Sequence, residues 1–250
     1  MKLIIWIIFV FVLYLLFKSR SDMVAAVARI KYVKGDTPNA IKLYKFANKI
    51  GKMAFDNRLQ HAYCTLREGD IDEANKLFNM MAMEKISPAQ RGQLKQSHAL
   101  VLWKRGDIDG AIEMLEEVHN QFISTTTYGS LGYMYIHRGK LEKALEYNLE
   151  AYKYNSDNGI IVDNLAYTYL RLKDYENAEK YYKILFDMNP TFPEGYIAYG
   201  KHLVEKGEKE EGLALMKKAL DCNFSFLSMD SRRDILDYLE EQGEDITKLI

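Results

Sequence analysis

This chain is poor in the side chains that carry chemistry. It has two cysteines in 250 residues, Cys64 and Cys222, far apart and outside any C-x-x-C, which excludes a disulfide-built scaffold and a thiol redox or zinc-knuckle motif. Its five histidines, His61, His98, His119, His137 and His202, show neither H-x-x-x-H nor H-E-x-x-H spacing, so no helix presents a paired metal site. A glycine-rich phosphate loop is absent. Acidic pairs such as Glu116 and Glu117, or Glu210 and Glu211, fall where a helix faces water. Charge of one sign is missing too: 34 Lys and Arg stand against 35 Asp and Glu. Without Lys2, Lys18 and Arg20, residues 21–250 hold 31 basic groups against 35 acidic ones, a net of −4 that is no nucleic-acid footprint and no polybasic membrane surface. These absences argue against an enzyme, a metal protein, a cofactor carrier or a small-molecule site.

What is present is a period. Residues 125–158 read TTTYGSLGYMYIHRGKLEKALEYNLEAYKYNSDN. Counting Thr125 as position 1, apolar or small residues recur at positions 4, 7, 8 and 11, which is one buried helix face. Gly139 follows where a left-handed residue ends a helix cheaply. Leu141, Ala144, Leu145, Asn148, Ala151 and Tyr152 then resume the helical period in a second helix. Position 8 falls on Ala28, Ala62, Ala99, Gly132, Ala166 and Gly200, and position 20 on Ala40, Ala74, Ala111, Ala144, Ala178 and Gly212. All twelve are Ala or Gly, although the 19 Ala and 15 Gly make only 34 of 250 residues, so the register is not a product of composition. Small residues there let paired helices cross closely. The turn position holds Gly35, Gly69, Gly106, Gly139 and Gly207, with Lys173 the one departure, and Asp36, Asp70, Asp107 and Asp174 follow it.

This pattern resembles the tetratricopeptide repeat (TPR), a helix–turn–helix unit of about 34 residues. The resemblance implies an all-α, right-handed TPR superhelix of six repeats, at 21–54, 55–88, 92–124, 125–158, 159–192 and 193–226. Residues 227–250 follow as a capping helix over 230–242, with Ile235, Leu236 and Leu239 on its apolar face, and a tail expected to fray or, alternatively, to dock.

Residues 1–20 are of another kind. Leu3 to Phe17, LIIWIIFVFVLYLLF, is an uninterrupted apolar run, which with flanking aliphatic stems reaches the low end of the about 17 to 25 residues of a membrane span. A cleaved signal peptide with its small-residue site at Ala26, Val27 and Ala28 would cut the first repeat at its close-packing position, and a helix apolar on every side has no interior in a repeat array to occupy. The expectation is therefore an N-terminal transmembrane helix, continuous with Val24 to Val33. The chain would be a single-pass protein of the cell membrane, with the repeats on the cytoplasmic side because Lys18, Arg20, Arg29, Lys31 and Lys34 lie on one flank and Lys2 on the other. Membrane-anchored bacterial-type TPR proteins of the lipopolysaccharide-regulating group also carry paired C-terminal cysteines for a metal; this chain lacks them, so that likeness stops at anchor plus repeats.

In TPR arrays positions 5, 9, 12 and 13 line the concave surface. The resemblance thus assigns a binding groove to Tyr63, Arg67, Leu100, Trp103, Lys104, Tyr133, His137, Tyr167 and Arg171, alternating aromatic groups with basic or titratable ones. Such a groove fits a protein or peptide partner bearing carboxylates, paired by Arg67, Lys104 and Arg171. The clamp that co-chaperones of this family use for acidic tails, Asn at position 9 with Lys at position 5, is not present. Two functions follow: a membrane-tethered interaction scaffold, or alternatively an accessory chaperone or assembly factor of an envelope or secretion complex acting partly through its anchor.

Overall fold

The computed structural model describes residues 2–249, the side chains of residues 2, 3, 8, 12, 13, 15, 16 and 248 excepted. Among the described residues the chain is all helix, without a strand: α1 (Lys2–Val33), α2 (Thr37–Ile50), α3 (Phe55–Arg67), α4 (Ile71–Ala82), α5 (Pro88–Lys104), α6 (Ile108–Gln121), α7 (Thr125–Arg138), α8 (Leu141–Tyr154), α9 (Gly159–Arg171), α10 (Tyr175–Asp187), α11 (Glu194–Lys206), α12 (Lys209–Ala219), α13 (Arg232–Glu241) and a closing 3-10 turn, η1 (Ile246–Lys248). They form two compact units, Met1–Ser97 and His98–Ile250, and α5 contributes residues to both.

Local chemistry sets the hairpins. Each turn between paired helices passes through the left-handed region, at Gly35, Gly69, Gly106, Gly139 and Gly207, and at Lys173 with φ 62°. The second helix of three hairpins is capped by the aspartate after that turn: the carboxylates of Asp70, Asp107 and Asp174 accept from the N–H of Glu73, Gly110 and Asn177. Asp36 instead accepts from Lys31 Nζ at 3.2 Å and from Asn39 Nδ2 at 3.2 Å.

In the first unit, Ala25 and Ala28 of α1 close on Ala40, Tyr44 and Ala47 of α2, all fully buried. Asp22 ties this hairpin to the next, accepting from Ala54 N at 2.7 Å and Asn57 Nδ2 at 2.8 Å. In the second unit the small positions differ in what they accommodate. A Cβ on Gly200 would stand 2.9 Å from Gly212 O and one on Gly212 2.6 Å from Gly200 O, so α11 and α12 touch backbone to backbone. A Cβ on Gly132 would collide with Asn148 Oδ1 instead, because position 8 of that repeat makes room for a buried polar network. In it Asn148 Nδ2 donates to Thr168 Oγ1 at 3.0 Å, Thr168 Oγ1 to Asn164 O at 2.6 Å and Asn164 Nδ2 to Gly129 O at 2.7 Å.

At the C-terminal end Ser231 and Asp234 form a capping box on α13, whose Ile235, Leu236 and Leu239 are buried against Leu213, Met216 and Leu220. The described residues of the tail dock. Ile246 joins that core, Glu244 pairs with Lys217 at 2.6 Å, and Arg232 donates to Leu249 O at 3.2 Å.

The expectation for residues 1–20 needs correction. Among the described residues no helix is long and apolar enough to cross a membrane. The apolar run is not a separate element: α1 continues through it into the packed region, and the run alone, at 1.5 Å per residue, measures about 22 Å against a hydrocarbon core of about 30 Å. Leu3, Ile8, Val12, Leu13, Leu15 and Leu16 of the run have side chains outside the described set. Those described, Ile4, Ile5, Trp6, Ile7, Phe9, Val10, Phe11, Tyr14 and Phe17, are all exposed, whereas from Ser21, at 1% exposure, one face of the helix is packed through Ala25 and Ala28.

Candidate partner-binding face

The residues expected to line one groove divide between the two units. In the first, Arg67 Nη1 donates to Tyr32 Oη at 2.8 Å with its guanidinium carbon 5.9 Å from that ring, and Tyr63 is half-buried, burial pushing its phenol up.

In the second unit α5, α7 and α9 present equivalent positions side by side, and the aligned side chains touch. Trp103 meets Tyr133 edge to face at 5.3 Å, Tyr133 lies 4.1 Å from His137, and His137 lies 5.9 Å from Tyr167. Arg171 Nη1 donates to Tyr167 Oη at 3.4 Å, with its guanidinium carbon 5.7 Å from the ring. At the other end Lys104 Nζ stands 4.8 Å from the Trp103 ring. The result is a continuous row, Lys104, Trp103, Tyr133, His137, Tyr167 and Arg171, with a cation at each end. Leu100, like Trp103, Tyr133 and Tyr167, packs onto the core around Ala99, Ala111 and Leu131.

Three features of this face depart from the sequence expectation. His137 is not a cation near neutrality: burial, helped by Arg171, pulls its ring down to about 4. The face also carries acid. Asp163, at position 5 of its repeat, is buried, and desolvation with the nearby Glu194 raises its carboxyl well above the ordinary range, while its Oδ1 has no hydrogen-bond partner. Burial also raises the Tyr133 phenol, and Glu194, Asp163, Tyr167 and Asp230 add to the shift. Finally, the face is not bare: the segment between α12 and α13 reaches it, with Phe226 4.7 Å from Lys104 Nζ and Ser228 O accepting from Lys104 at 3.5 Å. Position 5 of the repeat would have pointed to Asp163; no periodic signal points to the landing place of a loop.

A second concavity, of about 310 Å³, lies in the first unit among Met53, Leu77, Met80 and Met81, with His61 and the Arg58–Glu84 pair at its polar side. His61 is 3% exposed, stacks on Tyr44 at 5.5 Å, and its Nε2 has no partner; burial pulls its ring down to about 4. Among the described residues no group of three or more His, Cys, Asp or Glu could hold a metal ion.

The helix-pair geometry and its sequence register agree with comparison to known proteins. Residues 125–158 and 162–192 match the family model described as tetratricopeptide repeat. Over those residues the chain carries tetratricopeptide repeats. A tetratricopeptide repeat protein from Parabacteroides merdae superposes with a TM-score of 0.72 at 14% identity, over 90% of this chain and 85% of that one. A thermophilic TPR protein of Thermus thermophilus gives 0.63 at 21% identity, over 76% of this chain and 100% of that one. PilF of Pseudomonas aeruginosa gives 0.60 at 14% identity, over 92% and 99%. No curated protein matches the sequence. At these identities the likeness concerns the fold.

Proposed function

We propose that this chain is a protein–protein interaction scaffold that takes an extended partner segment along the concave row of its second unit, and that the apolar half of α1 tethers it to a membrane. The row from Lys104 to Arg171 carries the first part: flat aromatic surface gives contact area at small entropic cost, and cations at both ends select carboxylates. The neutral His137 and the buried Asp163 make this a patterned face rather than a uniformly cationic one. An array of synthetic acidic peptides on the full chain tests it. Lys104→Glu is expected to weaken binding by about 2–5 kcal/mol, because Lys104 is half-buried and a reversed charge there meets the partner's own carboxylate. Arg171→Glu, at an exposed position, is expected to cost about 1 kcal/mol or less. Lys180→Glu with Lys183→Glu, exposed on α10, is the control. If the control and the Lys104 variant bind alike, the row is not the site. The membrane part rests on the nine exposed apolar side chains described among residues 4–17, with the repeats on the cytoplasmic side by the basic flank of Lys18, Arg20, Arg29, Lys31 and Lys34.

A further inference from the structure

The stretch that follows α12 has no helical register, yet it is held in one place. Asn223 N donates to Thr191 O at 2.8 Å, and Phe224 packs against the core of Leu213, Leu220 and Ile235. Residues 225–228 then close a turn, with Ser228 N donating to Ser225 O at 2.9 Å and Leu227 N to Ser225 Oγ at 3.2 Å. The turn delivers two groups to the candidate face. Phe226 places its ring 4.7 Å from Lys104 Nζ, an ammonium that is also 4.8 Å from Trp103, and Ser228 O accepts from the same nitrogen at 3.5 Å. Asp230 Oδ1 accepts from Lys201 Nζ at 2.9 Å. Lys201 is position 9 of its repeat, the position that Tyr133 and Tyr167 hold in theirs.

These contacts resemble those of a bound peptide more than those of a core. Phe226 remains 37% exposed and Met229 53%, so apolar side chains lie on the surface of the face rather than filling it. The polar contacts are made by cations that the repeat register places there independently of this segment. The contacts also specify a chemistry: a ring against one ammonium and, four residues later, a carboxylate on a second.

We propose that residues 225–230 are a resident occupant of this face, and that the partner which displaces them is an extended protein segment carrying an aromatic side chain followed at the fourth position by Asp or Glu. This rests on the scaffold reading above and gives it a partner chemistry. A tethered segment acts at an effective concentration of the order of mM, so a free peptide with the same contacts sees only the fraction of molecules in which the segment is off.

The test uses the full chain in nonionic detergent and a fluorescein-labelled peptide of residues 223–231, read by anisotropy. Releasing the internal segment by Phe226→Ala with Asp230→Ala is expected to tighten peptide binding about tenfold. Adding Lys104→Glu and Lys201→Glu to that variant is expected to abolish it. Equal affinity for the parent and the released variant overturns the occupant proposal. Equal affinity before and after the lysine reversals overturns it as well, since the peptide then binds elsewhere. If the peptide fails to bind while an unrelated acidic peptide binds the released variant and is lost on reversal, the partner chemistry is wrong and the scaffold reading stands. If neither peptide binds, both fail. Hydrogen exchange on the parent needs no substitution: the Leu227 and Ser228 amides should exchange faster with saturating peptide, and unchanged rates overturn the proposal even if a variant misfolds.

Discussion

Asp163 shows what a single side chain on this face contributes. Its carboxyl is buried, one oxygen lacks a hydrogen bond, and Glu194 stands close enough to oppose its ionisation. Desolvation raises the folded-state pKa above the ordinary 3.8, so this group's stabilisation is fully present below that value and is lost as pH rises through the raised pKa. Asp163→Asn removes the charge while keeping the shape. Denaturant unfolding is expected to show the variant more stable than the parent at pH 7 by about 1–3 kcal/mol, the range for a buried polar group without a partner, and nearly equal to it below the ordinary carboxyl range. A variant less stable at pH 7 would mean that the carboxylate is satisfied in solution. His61 moves in the opposite sense: its ring is depressed to about 4, so the stabilisation it gives as a neutral group is present above the ordinary 6.5 and is lost as pH falls towards 4.

At the scale of the helix hairpin, the departure at Lys173 is informative. Its φ of 62° is that of the turn glycines, so the backbone path is kept and the side chain bears the strain. Lys173→Gly is expected to stabilise the chain by about 1 kcal/mol, the cost of a left-handed residue with a Cβ, read as a rise of about 2–4 °C in thermal midpoint. An unchanged midpoint would mean that lost chain entropy offsets the relief. The hairpins were legible in the sequence because their requirements are local. A close helix crossing needs Ala or Gly at two fixed positions, the turn needs a left-handed residue, and Asp70, Asp107 and Asp174 cap from the next position. The reason for a small residue was less legible: Gly200 and Gly212 are small for each other's backbone, Gly132 for the Asn148 amide. What depends on long-range placement was not legible at all. Ser228 meets Lys104 across 124 residues, the docking of Ile246 depends on a core built by α12 and α13, and the neutrality of His137 comes from burial that no spacing encodes.

For the whole molecule the first half of α1 is the apolar surface that needs a cover. A helix that exposes Ile4, Trp6, Ile7, Phe9, Phe11, Tyr14 and Phe17 together has apolar side chains on every side, unlike the amphipathic α2 or α6, and burying one such side chain gains about 1.5–3 kcal/mol. A bilayer can cover all sides at once; a protein partner covers one. On a bilayer, Lys18 and Arg20, next in the chain, would meet the headgroups at the end of a run that is short for a full span. Flotation of the full chain with phosphatidylcholine vesicles tests this. The parent is expected to float, and Phe9→Asp with Val10→Asp, at about 2.5–3.5 kcal/mol per charge in the hydrocarbon, is expected to stay at the bottom of the gradient while keeping its helical circular dichroism. If both float, the apolar run is not what binds. If neither does, a protein partner covers α1, and the alternative role in assembling an envelope or secretion complex gains the stronger case.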